Sequence, residues 1–265
     1  MHEPAINNNL DLYLRELHLP AIRECYEETA RKSQQESLSY EQYLLELAEL
    51  ECMKRRNNRV ERLLRESRLP LEKRIDSFDF QRLPQKIVPL IKSLLEGTFL
   101  GRKENVLIFG NPGSGKTHLL CAIGQELIRR GNKVYFATCS LLVQDLLRAK
   151  KELQLSRFLK KLSGYDALII DDLGYVQQSR EEMEVLFTLL AERYERGSVL
   201  LTSNLPFSKW DVIFKDPMVT AAAIDRLVHH SVILELNIDS YRMEQAKKNK
   251  KTDFQGGDVN QDSQK

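Results

Sequence analysis

The chain has 265 residues, 42% hydrophobic and 29% charged, the balance of an ordinary soluble protein with room for one large domain or a medium domain and a smaller partner. Its four cysteines, Cys25, Cys52, Cys121 and Cys139, show no C-x-x-C and no metal-ligand spacing, so they read as reduced thiols rather than a disulfide framework or a zinc site. The sequence starts with no apolar signal segment and contains no run of membrane-spanning length, so a cytoplasmic protein with no membrane partner is expected; the net charge of +2 says little until its distribution is followed.

From the N-terminus to about residue 75 there is no strand-like run. Leu10, Leu12, Leu14, Leu17 and Leu19 precede Pro20, and a second helical piece covers residues 21–32. A longer helix is expected from Ser39, a good N-cap with Gln42 three residues on, the arrangement of a capping box. Tyr43, Leu44, Leu47, Leu50 and Met53 then give that helix an apolar face. Residues 1–68 read as a small all-helical domain for DNA, partner or self-association.

The same helix turns basic at Lys54, Arg55, Arg56, Arg59 and Arg62, followed by Arg65 and Arg68. Glu51, Glu61 and Glu66 interrupt the run and offer i,i+4 partners. Two readings stay open: a solvated, salt-bridged face, or a surface that contacts nucleic-acid phosphates. Residues 69–82 look like a linker, and within it Phe78 and Phe80 alternate with Asp79. Either phenylalanine could pack on a nucleotide base, although packing into the core is the favoured reading.

From residue 83 to 246 the pattern is α/β. Strands are expected at 105–109, 133–138, 167–171, 198–204 and 232–236, with helices around 86–96, 117–130, 140–162, 180–196 and 217–229. Alternation of this kind implies a mainly parallel five-stranded sheet between helices, with its active site at the C-terminal edge of the strands. Residues 247–265 are polar and read as a disordered tail.

The first of these strands runs straight into Gly110-Asn111-Pro112-Gly113-Ser114-Gly115-Lys116-Thr117, a complete G-x-x-x-x-G-K-[ST] phosphate loop, and a helical pattern follows from His118. Strand, glycine-rich loop and helix N-terminus in that order make an anion cradle. Lys116 would reach the β- and γ-phosphates of a nucleotide, and the Thr117 hydroxyl would ligate Mg²⁺. Leu168-Ile169-Ile170-Asp171-Asp172 is an apolar strand ending in two acids, Asp171 for the metal and Asp172 to activate water. The fourth strand turns polar at Asn204, where an amide could hold that water. No N-K-x-D motif follows, so adenine is favoured over guanine by elimination. Arg226, on a small-residue helix, reads as a surface or ion-pair residue unless it reaches a neighbouring subunit's site, and Arg242 follows the fifth strand.

The ordered set Gly-Asn-Pro-Gly-Ser-Gly-Lys-Thr, Leu-Ile-Ile-Asp-Asp-Leu-Gly-Tyr, Leu-Thr-Ser-Asn, Ala-Ile-Asp-Arg-Leu and Ser-Tyr-Arg resembles the IstB/DnaC branch of AAA+ ATPases. The basic helix followed by Arg-Leu-Pro and Phe-Asp-Phe is similar to IstB-type helpers of insertion-sequence transposition in particular. The resemblance covers about residues 1–245. It implies a nucleotide site over residues 110–118, Asp171 and Asp172 as metal-binding and catalytic acids, and Asn204 as first sensor. It also implies Arg226 as a catalytic finger acting on the neighbouring subunit and Arg242 as second sensor. Its further implications are Mg²⁺-dependent ATP hydrolysis, ATP-promoted homo-oligomers on double-stranded DNA, and stimulation of a cognate transposase. The chain departs from the wider AAA+ pattern in having Asp rather than Glu at 172 and too little apolar sequence after Arg242 for a helical lid. The alternative of another class is a DnaC-like replicative helicase loader, which carries the same ATPase motifs.

Overall fold

The computed structural model describes residues 3–174, 179–241 and 243. Two compact units divide between Arg62 and Leu63. The first holds α1 (Glu3–Glu16), α2 (Pro20–Gln35) and most of α3 (Tyr40–Ser67). Ser39 caps α3 as its sequence predicts: its Oγ accepts from Gln42 N at 3.3 Å, and its own N–H donates to Gln42 Oε1 at 2.9 Å. Of the expected apolar face of α3, Leu47 is buried, but Leu44 and Met53 are 64% and 58% exposed. Spacing put those residues on one face; it did not decide that the face is covered.

A buried acid orders this unit. Leu19 offers no side-chain cap to α2, whose first helical residue is Pro20. The buried Glu51 carboxylate takes that role from α3, accepting from Ala21 N at 2.9 Å and Ile22 N at 3.3 Å. Arg55 donates to Glu51 Oε1 at 2.9 Å and to His18 O at 2.6 Å.

The second unit is a five-stranded parallel sheet in the order β2-β3-β4-β1-β5. The strands are β1 (Asn105–Gly110), β2 (Val134–Thr138), β3 (Ala167–Leu173), β4 (Ser198–Ser203) and β5 (Ser231–Leu236). The central strands β1, β3 and β4 are near-continuous apolar runs because helices cover both faces, and Val106, Leu107, Ile108, Ile170 and Leu200 are fully buried, whereas edge strand β5 leaves Ile233 and Glu235 exposed. The helices are α4 (Val88–Glu96), α5 (Lys116–Arg129), α6 (Cys139–Lys151), α7 (Leu155–Ser163), α8 (Arg180–Arg193), the short α9 (Asp211–Phe214) and α10 (Pro217–Val228). The single helix expected over 140–162 is two. Leu153 takes left-handed backbone at φ 57°, and Gln154 N bonds back to Ala149 O at 2.7 Å, closing α6 without a glycine to announce it. The segment expected as a linker, 69–82, lies in the second unit and carries two 3₁₀ turns at Ile75–Ser77 and Phe80–Arg82.

Because β1 sits between β4 and β5 while β2 lies beyond β3, the chain leaving β1 must cross the sheet. The C-terminal ends of β1, β3 and β4 lie together at that switch point, where open parallel sheets bind their ligands.

Candidate active site

The loop from β1 to α5 needs its glycines. Gly113 and Gly115 hold left-handed backbone at φ 81° and 92°. A Cβ on Gly113 would fall 2.1 Å from Ser240 Oγ, and one on Gly115 would fall 3.2 Å from the Phe78 ring. The loop delivers the chain to the N-terminus of α5, where unsatisfied N–H groups and the helix dipole favour an anion. Lys116, only 6% exposed, donates from Nζ to Gly110 O at 2.8 Å and Asn111 O at 2.9 Å, so its charge is held inside the loop.

The acids come from β3. Asp171 is buried, and its Oδ1 accepts from Thr117 Oγ1 at 2.9 Å and from Thr202 Oγ1 at 2.6 Å. Asp172 is exposed, has φ 61°, and donates its N–H to Thr202 Oγ1 at 2.8 Å. At the end of β4, Asn204 Oδ1 and, within the loop, Ser114 Oγ are buried polar atoms with no hydrogen-bond partner among the described residues. Buried polar atoms are rarely left so, and at a phosphate loop the pattern fits a polar ligand.

A cavity of about 620 Å³ gathers these parts. Pro112 to His118, Asp172 and Asn204 line it, as the sequence leads one to expect. Asp171 lies behind Thr117, and Gly110 and Asn111 meet the Lys116 ammonium through their carbonyls. Phe78 corrects the favoured core reading. It is half-buried on the cavity wall, edge-on to Phe80 at 5.3 Å and to His118 at 5.4 Å between ring centres. His118 Nε2 lies 2.8 Å from Arg74 O and 3.3 Å from Ser77 Oγ, tying this segment to α5.

Sequence reasoning missed Arg82 and Tyr241. Tyr241 N donates to Gly113 O at 3.0 Å. Arg82 donates to Asp239 O at 2.8 Å and stacks over the Tyr241 ring at 5.3 Å. Nothing in the spacing of residues this distant joins them. Arg226 lies away from its own chain's cavity, on α10, donating to Ala222 O at 2.9 Å and stacking over Phe187 at 4.9 Å. Arg242 falls outside the described residues, as does the polar tail at 247–265.

The basic stretch of α3 is exposed from Lys54 to Arg59 and at Arg62. Within it Arg55 is engaged by Glu51 and His18. All four cysteines are free thiols. Burial pushes Cys121 up to about 12, so that thiol is no nucleophile.

A phosphate loop, an adjacent acid pair and a polar strand end on a parallel sheet of this order define a P-loop fold of the AAA+ kind. The fold is similar to that of DnaA from Aquifex aeolicus bound to AMPPCP (TM-score 0.55, 20% identity, 75% of this chain and 58% of that one). It is also similar to the DnaC helicase loader (TM-score 0.52, 19% identity, 64% of this chain and 98% of that one). The chain belongs to the IstB-like ATP-binding protein family, whose model matches residues 12–249. Among its relatives is an insertion-sequence ATP-binding protein of Sinorhizobium fredii, 40% identical and covering 93% of this chain and 83% of the relative. Others are the ATP-binding protein of insertion sequence IS5376 in Geobacillus stearothermophilus (39%; 87% and 92%) and that of IS21 in Pseudomonas aeruginosa (35%; 94% and 91%).

Proposed function

We propose that this chain is the ATP-hydrolysing helper of an insertion-sequence transposase, working in the cytoplasm as an ATP-promoted oligomer on double-stranded DNA. The observation that carries the reading is the meeting of Lys116, Thr117, Asp171, Asp172 and Asn204 around one cavity at the α5 N-terminus. The kinship with insertion-sequence ATP-binding proteins supports a transposase partner over a replicative helicase.

Loop N–H groups and Lys116 hold the phosphates of ATP, and Phe78 offers a ring face or edge to the base. The hydroxyl of Thr117 and the carboxylate of Asp171 are hard oxygen donors 2.9 Å apart, the ligand type Mg²⁺ takes. Mg²⁺, when bound, offsets charge on the β- and γ-phosphates. Asn204 orients water, and Asp172 accepts its proton as the oxygen adds to the γ-phosphorus and the bond to ADP breaks. Asp172 lacks one methylene relative to Glu, which favours slow turnover. Arg226 acts in the neighbour's site, neutralising charge there. Arg242 serves as second sensor, and Lys54, Arg56, Arg59 and Arg62 contact DNA phosphates.

Phosphate release tests the reading. The wild type should hydrolyse ATP with Mg²⁺, and Asp172→Asn should bind ATP while losing at least about 100-fold in rate, as removal of a catalytic group does. Lys116→Ala and Arg226→Ala should each be inactive alone but regain activity when mixed, because the first supplies a finger and the second an intact loop. A wild type without ATPase activity, or an Asp172→Asn variant at full rate, would refute it.

A further inference from the structure

β3 and β4 keep register from Ala167↔Ser198 to Ile170↔Leu201 and resume at Leu173↔Ser203. Two residues of β3, Asp171 and Asp172, therefore oppose one residue of β4, Thr202. This is a β-bulge, unusual between parallel strands and a device that re-aims side chains beside active sites. Without it, strand alternation would turn Asp171 and Asp172 to opposite faces. With it, Asp171 stays buried against Thr117 while Asp172 reaches the cavity.

We infer that Thr202 is the positioning residue that holds this bulge and so sets both acids for metal binding and catalysis, an inference that rests on the ATPase reading. Its hydroxyl works in both directions. It accepts the Asp172 N–H at 2.8 Å, a donor the bulge withdraws from the strand ladder, and it donates to Asp171 Oδ1 at 2.6 Å. One oxygen atom thus fixes the left-handed backbone of Asp172, at φ 61°, and the rotation of the Asp171 carboxylate. Thr202 is completely buried and absent from the cavity wall, so it acts through the acids and never on ATP. Outer partners of this kind hydrogen-bond a ligating carboxylate and hold its orientation.

The test compares full-length wild type with Thr202→Val, which keeps the shape, and with Thr202→Ser, which keeps the hydroxyl. Mn²⁺ titration followed by electron paramagnetic resonance, in the presence of a non-hydrolysable ATP analogue, reads the metal site directly. Phosphate release reads turnover, and analogue binding in EDTA reads the phosphate loop alone. Thr202→Val should weaken Mn²⁺ binding and slow turnover by about 10–100-fold each, the usual effect of losing such a partner, while metal-free analogue binding stays within about twofold. Thr202→Ser should recover most of both losses. If Thr202→Val does not fold, Thr202→Ala against Thr202→Ser makes the same comparison, since that pair differs only in the hydroxyl. A hydroxyl-free variant with wild-type Mn²⁺ binding and turnover, or a serine variant as impaired as valine, overturns the role of Thr202 alone. A wild type that takes up no Mn²⁺ with the analogue overturns the ATPase reading as well.

Discussion

Arg193 shows what a single residue can do without touching the site. Its side chain sits in the last turn of α8, 2% exposed, and donates to the carbonyls of Leu162 (3.3 Å), Tyr165 (2.8 Å), Asp166 (3.2 Å) and Ser198 (3.1 Å). Burial pulls its pKa down to about 10, against the partial support of Asp166, yet it stays charged at neutral pH. The carbonyls of Tyr165, Asp166 and Ser198 lie where β3 and β4 begin and that of Leu162 lies in α7, so the guanidinium ties α7 to the far end of the two strands that lead to the acids and Asn204. Arg193→Met should strand the carbonyls and cost roughly 2–4 kcal/mol, read by urea unfolding of the full chain. A loss below about 0.5 kcal/mol, the range of an ordinary surface change, would show that water replaces the side chain freely. The phosphate loop was legible because its chemistry is written in eight consecutive residues. Arg193 and Thr202 were not, because an arginine on a charged helix and a threonine in an apolar strand look ordinary until distant carbonyls or acids are brought to them.

At the scale of elements, the capping of α2 from α3 gives the N-terminal helices a pH dependence. Burial raises the Glu51 pKa, but the Arg55 guanidinium and the N–H groups of Ile22 and Ala21 outweigh it and leave the pKa below the ordinary carboxylate range. A depressed folded-state pKa gives stability that is full above the unfolded carboxylate pKa of about 4.3 and is lost as pH falls through the lowered value. Glu51→Gln should cost roughly 1–2 kcal/mol at pH 7 and flatten the decline of helix stability below about pH 4.5. Amide exchange protection along α2, followed from pH 7 to 3, measures both. An unchanged acid limb in the variant would assign the dependence to other groups. Element boundaries were readable where capping or apolar runs are local, as at Ser39 and in all five strands. They failed at Leu153, where a left-handed turn without glycine splits α6 from α7, and at Phe78, whose ring meets the phosphate loop rather than a core.

At the scale of the molecule, the sheet brings residues far apart in sequence to one edge, which is why the sequence alone could order the motifs but not show the bulge that aims them. The basic run of α3 and a second set at Lys150, Lys151, Arg157, Lys160 and Lys161 in the other unit are exposed. Lys150 already lies 3.5 Å from Glu184, and Arg55 is held by Glu51, so neither set is wholly available for phosphates.

The most direct measurement is sedimentation velocity of the full chain with a random-sequence DNA duplex, with and without ATP and Mg²⁺, beside the Asp172→Asn variant. Large assemblies are expected only when ATP and duplex are both present, persisting longer in the variant and shrinking as salt rises, because phosphate contacts release counterions. Sedimentation as a single subunit under every condition, with the duplex left free, would contradict the proposed function.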